Sequence, residues 1–303
     1  MTRFLGRDRL FLLVFLVPII MVVALLIYGP ALDTLRTSFT NTNLRVPHKP
    51  IDFVGLDNYA RLLNDPEFWE VTGRSILLLV IILPLELVLA FAAALLLNEH
   101  FPGRGLVRTL VLLPWLVPPV VNGFLWGWIL NGEFGALNGL LYQLGLTSDY
   151  VTWLKDPSSQ LFWVAVVQVW TRFAFPMIVI LAGLQGVPGE LYDAAKVDGA
   201  GTLRRLWSVT LPSVRPSLAI AVVVEAIASF QIFDVIWTLT AGGSAGGTIN
   251  PFTKTLMIWN YELVFRDLRV GLGAALSYLV LGMSIVIGMM FIVRLYNQGV
   301  KDK

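Results

Sequence analysis

The chain has 303 residues, 56% of them hydrophobic and 14% charged, with a mean hydropathy of +0.74 and a formal net charge of +2. Soluble domains carry nearer a quarter charged residues, so this chain cannot cover itself with polar groups and lipid is its expected solvent. The small net charge gives no argument for nucleic acid, and the absence of cysteine excludes disulfides, thiol catalysis and cysteine metal sites.

A spanning helix needs roughly 20 apolar residues to cross about 30 Å of hydrocarbon, and six stretches qualify. The first, Leu10 to Leu32, has no charge. Its length, Pro18 and the lack of a small-x-small cleavage site make it an uncleaved anchor rather than a signal peptide. Thr37 to Gly73 is a polar segment in which "DNYARLLNDPEFWEV" predicts an interfacial helix. The second run, Ser75 to Asn98, contains only Glu86, and the third, Thr109 to Gly132, contains no charge. Asn131 to Gln160 forms another polar loop, with Trp153 near the membrane boundary. The fourth run, Leu161 to Val187, holds only Arg172. After a polar segment comes the fifth, about Ser217 to Thr240, with Glu225 and Asp234 inside it. "TAGGSAGGT" then opens a loop as a flexible Gly-rich turn, and Val270 to Val293 is an uncharged sixth run. His48 and His100 stand far apart in polar segments and read as ordinary surface residues.

Orientation follows from Lys and Arg. One side collects Arg3, Arg7, Arg9, Arg104, Arg108, Lys196, Arg204, Arg205, Arg215, Arg294, Lys301 and Lys303, while basic residues on the other side are outnumbered by Asp and Glu. The expected fold is therefore all-α: a polytopic membrane protein of six transmembrane helices with both termini in the cytoplasm. The expected organisation is a cytoplasmic N-terminus at 1–9, a first span at 10–36, an external loop at 37–71, a core domain at 72–296 and a cytoplasmic tail at 297–303. No internal repeat stands out, which counts against the inverted-repeat secondary transporters.

The polar segment at 186–212 is too organised for a plain connection. Pro188 suits the first turn of a helix, and Glu190 to Val197 are good helix formers with Glu190 and Asp193 near the positive end of the dipole. Gly199 and Gly201 are expected to stop that helix. "TLRRLWSVTLP" follows as a second amphipathic piece ending at Pro212, with Leu203, Leu206 and Trp207 on one side and Arg204 and Arg205 on the other. Ala194 and Ala195 give the short helix a smooth, close-packing surface. Its shape suits docking against another protein, and packing on its own bundle is the bland alternative.

The spacing is more specific. Asp193-Ala194-Ala195, three residues, Gly199, nine residues, then Val209-x-Leu211-Pro212 resembles the Glu-Ala-Ala signature of binding-protein-dependent ABC importers. Asp193 stands for Glu and Val209 for Ile. "AGLQGVPGELYDAAKVDGAG", "GLDNYARLLNDPEFW", "RGLVRTLVLLPWLVPPVV" and "FDVIWTLTAGG" are similar to the sugar-type permeases of the maltose and glycerol-phosphate branch, with Ser244 where that branch usually has Pro. The resemblance covers about residues 10 to 296. It implies a MetI-like type I importer permease fold, with the short helix as a coupling helix seated in a cytoplasmic ATPase. The coupling residues it implies are Glu190, Asp193, Ala194, Ala195, Asp198, Gly199, Leu211 and Pro212. The chain has no G-x-x-x-x-G-K-[ST] and not one Gly-Lys pair, so ATP and Mg are expected on a partner and no cofactor on this chain. The implied partners are a second, usually different permease subunit, two ATPase subunits, an extracytoplasmic substrate-binding protein and membrane lipid. The implied location is a bacterial or archaeal cytoplasmic membrane.

Ionisable residues inside a span are costly and read first as functional. Of Glu86, Arg172, Glu225 and Asp234, the last is placed near the outer third of the fifth span. On a regular helix Glu225 and Asp234, nine apart, differ by about 180°. Sugars are held by aromatic faces and by amide or carboxylate hydrogen bonds. Candidates are Asn122 and Trp126 on the third span, Trp170, Arg172 and Phe175 on the fourth, and Ser229, Phe230, Gln231, Asp234 and Trp237 on the fifth. Packing or lipid contact is the competing reading for the aromatics, and a structural pair with Glu225 or Asp234 is the competing reading for Arg172. An importer of another cargo (a glycerol phosphodiester, polyamine or amino acid) and an ion-coupled secondary transporter remain open alternatives. A membrane enzyme has almost no catalytic groups to work with.

Overall fold

The structure, a computed structural model, describes residues 14–241 and 250–301. The N-terminus expected at 1–9, the start of the first run and the Gly-rich turn with Ser244 lie outside the described residues. Those residues hold helices and no strand, with one isolated antiparallel bridge between Thr40 and Phe53. Helix α1 is Val14–Ser38. Then come α2 (Asp57–Asn64), α3 (Pro66–Asn98), α4 (Arg104–Leu116), α5 (Pro119–Ile129) and α6 (Ala136–Gln143). They are followed by α7 (Pro157–Arg172), α8 (Ala174–Gln185) and α9 (Gly189–Val197). Helix α10 occupies residues 202–230, α11 residues 234–241, α12 residues 256–266, and α13 is Val270–Lys301.

Four stretches are long and apolar enough to cross a membrane unaided: Val14–Ser38, Pro66–Asn98, Thr202–Thr240 and Val270–Arg294. The pairs α4–α5 and α7–α8 qualify only if each bent pair counts as one span. Three of the six expected runs are not single straight helices. The third run bends by 96° between α4 and α5. Pro118 and Pro119 cause this, because a residue before proline is driven out of the helical region, and Val117 sits at ψ 131. The fourth run bends by 43° at Phe173. The fifth run unwinds at residues 231–233, with Phe233 at φ −132 and ψ −62, and restarts at Asp234. The regular-helix angle between Glu225 and Asp234 therefore does not apply.

Other boundaries move for local reasons. The expected interfacial helix is only α2. "PEFWEV" belongs instead to α3, which starts nine residues earlier than the apolar run, because Pro66 suits its first turn and the Asp65 carboxylate accepts the Glu67 N–H at 2.9 Å. Pro212 does not end the polar piece. It lies within a continuous α10, where the π-turn Leu206–Thr210 lengthens the ladder just before the residue that lacks an N–H. At the far end α13 continues to Lys301, into the tail expected from 297.

Two compact units divide the chain: Met1–Phe68 with Asn260–Leu281, and Trp69–Trp259 with Gly282–Lys303. In the second unit one apolar core joins Leu78 and Ile82 of α3, Val164 and Val167 of α7, and Val235, Ile236 and Leu239 of α11. Another joins Ala90, Ala94 and Leu97 of α3, Met177 and Ile180 of α8, and Val214 of α10. Ala90 and Ala94, four apart, let neighbouring helices approach, which in lipid replaces the missing hydrophobic drive. Helix α5 meets α11 just as closely at Gly123, where a Cβ would stand 2.7 Å from the Thr238 Cβ. Gly123→Val is expected to cost about 1–3 kcal/mol by overpacking and to lower the thermal unfolding midpoint in detergent by several degrees.

Candidate functional site

Helix α9 has no buried residue. Pro188 is its N-cap rather than its first turn, leaving Glu190 exposed in that turn. At its other end Gly199 takes φ +72, the left-handed conformation. The Gly199 N–H donates to the Lys196 carbonyl at 3.0 Å and the Ala200 N–H to the Ala195 carbonyl at 2.9 Å. Those two bonds close a Schellman cap around Asp198, the C-cap residue. Gly201, expected to share the stop, is instead extended (φ −65, ψ 173) and forms the N-cap of α10. The segment is thus the short helix α9 joined to the start of the long α10 through one left-handed glycine.

The cap fixes the shape of the segment; its surface stays free. Val197 is 89% exposed, Leu203 74% and Trp207 68%. Ala194 is exposed, Ala195 half-buried, and Leu211 and Pro212 half-buried inside α10. Lys196 donates to the Asp193 carboxylate at 2.8 Å, and that hydrogen bond holds the Asp193 carboxyl below the usual carboxylate range. Asp193 therefore keeps its charge at neutral and mildly acidic pH. One side-chain bond, Tyr192 Oη to Thr210 Oγ1 at 3.2 Å, ties α9 to α10. Tyr192 carries no separate signal in the sequence, two residues after Glu190 and next to Asp193.

Inside the second unit the charged residues find one another. Arg172, at the end of α7, donates through Nε to Glu225 Oε2 at 2.8 Å and through Nη2 to Glu225 Oε1 at 3.2 Å. The pair is two-pronged, and Glu225 is fully buried. Arg172 thus pairs with Glu225 and not with Asp234. Glu86 of α3, also fully buried, lies within electrostatic reach of both, and neither of its carboxylate oxygens has a hydrogen-bond donor among the described residues. In the sequence Glu86 and Glu225 stand out as charges in apolar runs, and nothing there joins them to one centre.

The remaining candidates separate into two groups. At the break in the fifth run Ser229 and Phe230 are buried, Gln231 donates from Nε2 to Ser284 Oγ at 2.9 Å, and Phe233 stacks on Trp237 with centroids 5.8 Å apart. Asp234 is half-buried, and its carboxylate has no partner among the described residues. Non-helical backbone within an apolar run is tolerated where it lies inside protein or lines a water-filled cavity. Trp126 and Trp170 meet edge to face at 6.4 Å, and the ring series continues through Trp163 to Trp153. Phe175 is apart from it, packed on Trp115 at 6.2 Å. Asn122 is buried with its amide donating to the Pro114 carbonyl at 2.8 Å, where it satisfies an acceptor freed by the bend.

A chain whose described residues form helices, with apolar spans, the Arg172–Glu225 pair inside them and an exposed, rigidly capped polar segment, has the architecture of a polytopic membrane protein. Residues 86–302 match the family described as "Binding-protein-dependent transport system inner membrane component". The trehalose/maltose transport system permease protein MalF of Thermococcus litoralis is 36% identical over 264 residues, covering 87% of this chain and 86% of that one. The sulfoquinovosyl glycerol transport system permease protein SmoG of Agrobacterium fabrum is 32% identical over 280 residues, covering 92% and 88%. The crystal structure of a bacterial ABC transporter involved in import of the acidic polysaccharide alginate superposes with a TM-score of 0.79 at 23% identity, over 97% of this chain and 98% of that one. The chain belongs to the binding-protein-dependent transport system inner membrane components, and its fold is that of the matched chain of the alginate transporter structure.

Proposed function

We propose that this chain forms half of the membrane pore of an ATP-driven importer that takes a sugar or sugar derivative from an external binding protein and passes it inward by alternating access. The observation that carries the reading is α9, an exposed helix locked by its Gly199 cap. A rigid lever with no buried residue transmits force only if another protein grips it. On this reading Glu190, Asp193, Ala194, Ala195, Asp198 and Gly199 face a separate ATPase subunit, and Leu211 and Pro212 join the lever to the fifth span. ATP and Mg belong to that subunit.

The sugar class is supported by the relatives: trehalose/maltose for one, sulfoquinovosyl glycerol for another, and alginate for two structural neighbours, one of them in complex with an alginate pentasaccharide-bound periplasmic protein. Counting each bent pair as one span gives six crossings with both termini cytoplasmic, in agreement with the placement of Arg and Lys. The domain organisation is then a first span, an external loop to about residue 71 and a core of five spans with the coupling segment at 186–212. A second permease subunit completes the pore, two ATPase subunits complete the machine, and its place is the cytoplasmic membrane of a bacterium or archaeon. The substrate path runs past the break at residues 231–233, with Asp234 and Gln231 as its polar groups and Trp126, Trp170 and Trp237 as its rings.

Reconstitution into proteoliposomes with co-purified partners tests this reading. Uptake of labelled sugar should require both ATP and the binding protein; uptake driven by an ion gradient without the ATPase subunits would overturn it. In the same vesicles Asp234→Ala is expected to lower uptake about tenfold or more, the loss of one charge-assisted hydrogen bond, with the ATPase still assembled. Unchanged uptake kinetics in that variant remove Asp234 from the path.

A further inference from the structure

The first unit contains a cavity of about 520 Å³, a size suited to a small molecule, built from the loop after α1, helix α2 and the residues that open α13. Its floor is rigid. Asn58 is 5% exposed and donates its amide to the Ser38 and Thr40 carbonyls at 2.9 and 2.8 Å, and Leu62 beside it is 1% exposed. Around that floor stand Lys49, Arg61 and Arg269, none of which has a hydrogen-bond or ion-pair partner for its side chain among the described residues.

The polar inventory of this cavity is lopsided. Three cations bring free N–H donors, and the Asn43 amide adds more, its carbonyl oxygen already accepting the Arg45 N–H at 2.9 Å. Against them stands one carboxylate, Asp65, with one oxygen already holding the Glu67 N–H. A cavity with spare donors and a surplus of two positive charges is complementary to a compact ligand rich in acceptor oxygens. The backbone also favours this arrangement. Leu268 takes φ 57, the only non-glycine residue at positive φ among those described, and it immediately precedes Arg269. Such a conformation is strained for a residue with a side chain and persists only where surrounding contacts impose it. Here the Leu268 carbonyl accepts the Leu44 N–H at 2.8 Å and the Arg269 N–H donates to the Leu263 carbonyl at 2.8 Å. Those two bonds fix the backbone from which Arg269 projects to the cavity.

We infer that this cavity is a binding site for a small oxyanion, the carboxylate, sulfonate or phosphate group of a compact ligand, held by Lys49, Arg61 and Arg269. Its place on the outer side rests on the orientation proposed above, and the anion chemistry does not. The test uses the assembled importer in lipid nanodiscs and radiolabelled sulfate as the probe, with galacturonate, galactose and inorganic phosphate as competitors. Saturable sulfate binding is expected, displaced by galacturonate or phosphate and not by galactose. Displacement by galacturonate alone marks an acidic sugar as the natural ligand, and displacement by phosphate alone marks a phosphorylated one. Arg61→Gln and Arg269→Gln should each weaken sulfate binding about tenfold, the loss of one charge-assisted contact. Asp65→Asn, which keeps an oxygen for the Glu67 N–H, should strengthen it about threefold by removing the opposing charge. ATP-dependent sugar uptake in each variant shows that the machine is folded. Absence of saturable binding in the wild type, or equal binding in all three variants, overturns the inference. If sulfate binds as expected while no sugar is transported, the site stands and the sugar reading fails.

Discussion

Gly199→Val is expected to reduce uptake to background while the protein still inserts in the membrane, and Gly199→Asn is expected to retain most of it. The reason is conformational. Gly199 sits at φ +72, and no atom lies within 4 Å of where its Cβ would be, so a side chain meets open space and strain comes from the backbone alone. A β-branched residue pays about 1–2 kcal/mol or more to stay left-handed, whereas asparagine adopts that region readily. With only the Tyr192–Thr210 side-chain bond tying α9 to α10, the strained cap opens and the Lys196 and Ala195 carbonyls lose their partners. The helix then frays at the end nearest its hinge. ATP-dependent uptake and stimulation of the ATPase by the permease should fall together, while yield from the membrane is unchanged. A Gly199→Val transporter with normal coupling removes the lever role from α9.

The second large effect lies in the paired charges. Arg172→Gln is expected to destabilise the second unit by about 3–5 kcal/mol, because it leaves a buried carboxylate without its cation. Glu225, fully buried, would then face Glu86, also fully buried, with no cation between them. Glu225→Gln should cost a comparable amount by stranding the guanidinium. The double substitution Arg172→Met with Glu225→Leu is expected to recover much of the loss, since apolar replacements of similar volume suit both lipid and core. Glu86→Gln is expected to be neutral or stabilising, for it adds amide donors where the carboxylate oxygens now have none. Thermal unfolding in detergent reads all four variants. Equal stability of Arg172→Gln and wild type would show that the pair is dispensable. If the double variant is stable and still transports, the pair pins α7 to α10 and is not part of the path; if stable and inactive, Arg172 acts on substrate as well.

The uncharged apolar runs were legible because lipid tolerates few alternatives to a helix: every backbone group must be paired within the segment. The capped helix α9 was legible too, since Pro188, the helix formers after it and Gly199 each have one strong local preference. The bend at Pro118 was present in the sequence as a Pro-Pro pair, but the length of the surrounding apolar run outweighed it. Less visible was the break at residues 231–233, because "SFQIFDVIW" contains neither glycine nor proline.

The sequence alone determined which segments are apolar enough to cross a membrane, where the exposed segment after the fourth run caps its short helix, and the family to which the chain belongs, because these rest on local composition, backbone preference and short-range spacing. Tertiary structure decided the partners. Arg172 and Glu225 are 53 positions apart, and Asp234 was as available to Arg172 by residue type. The break in the fifth run depends on Ile232 being buried in the core that α3 and α7 supply, and on Gln231 reaching Ser284. The oxyanion cavity needs Arg61 and Arg269, 208 positions apart in sequence, to line one cavity. Such pairings are set by which helix faces pack together, a property of the whole chain that no window of residues contains.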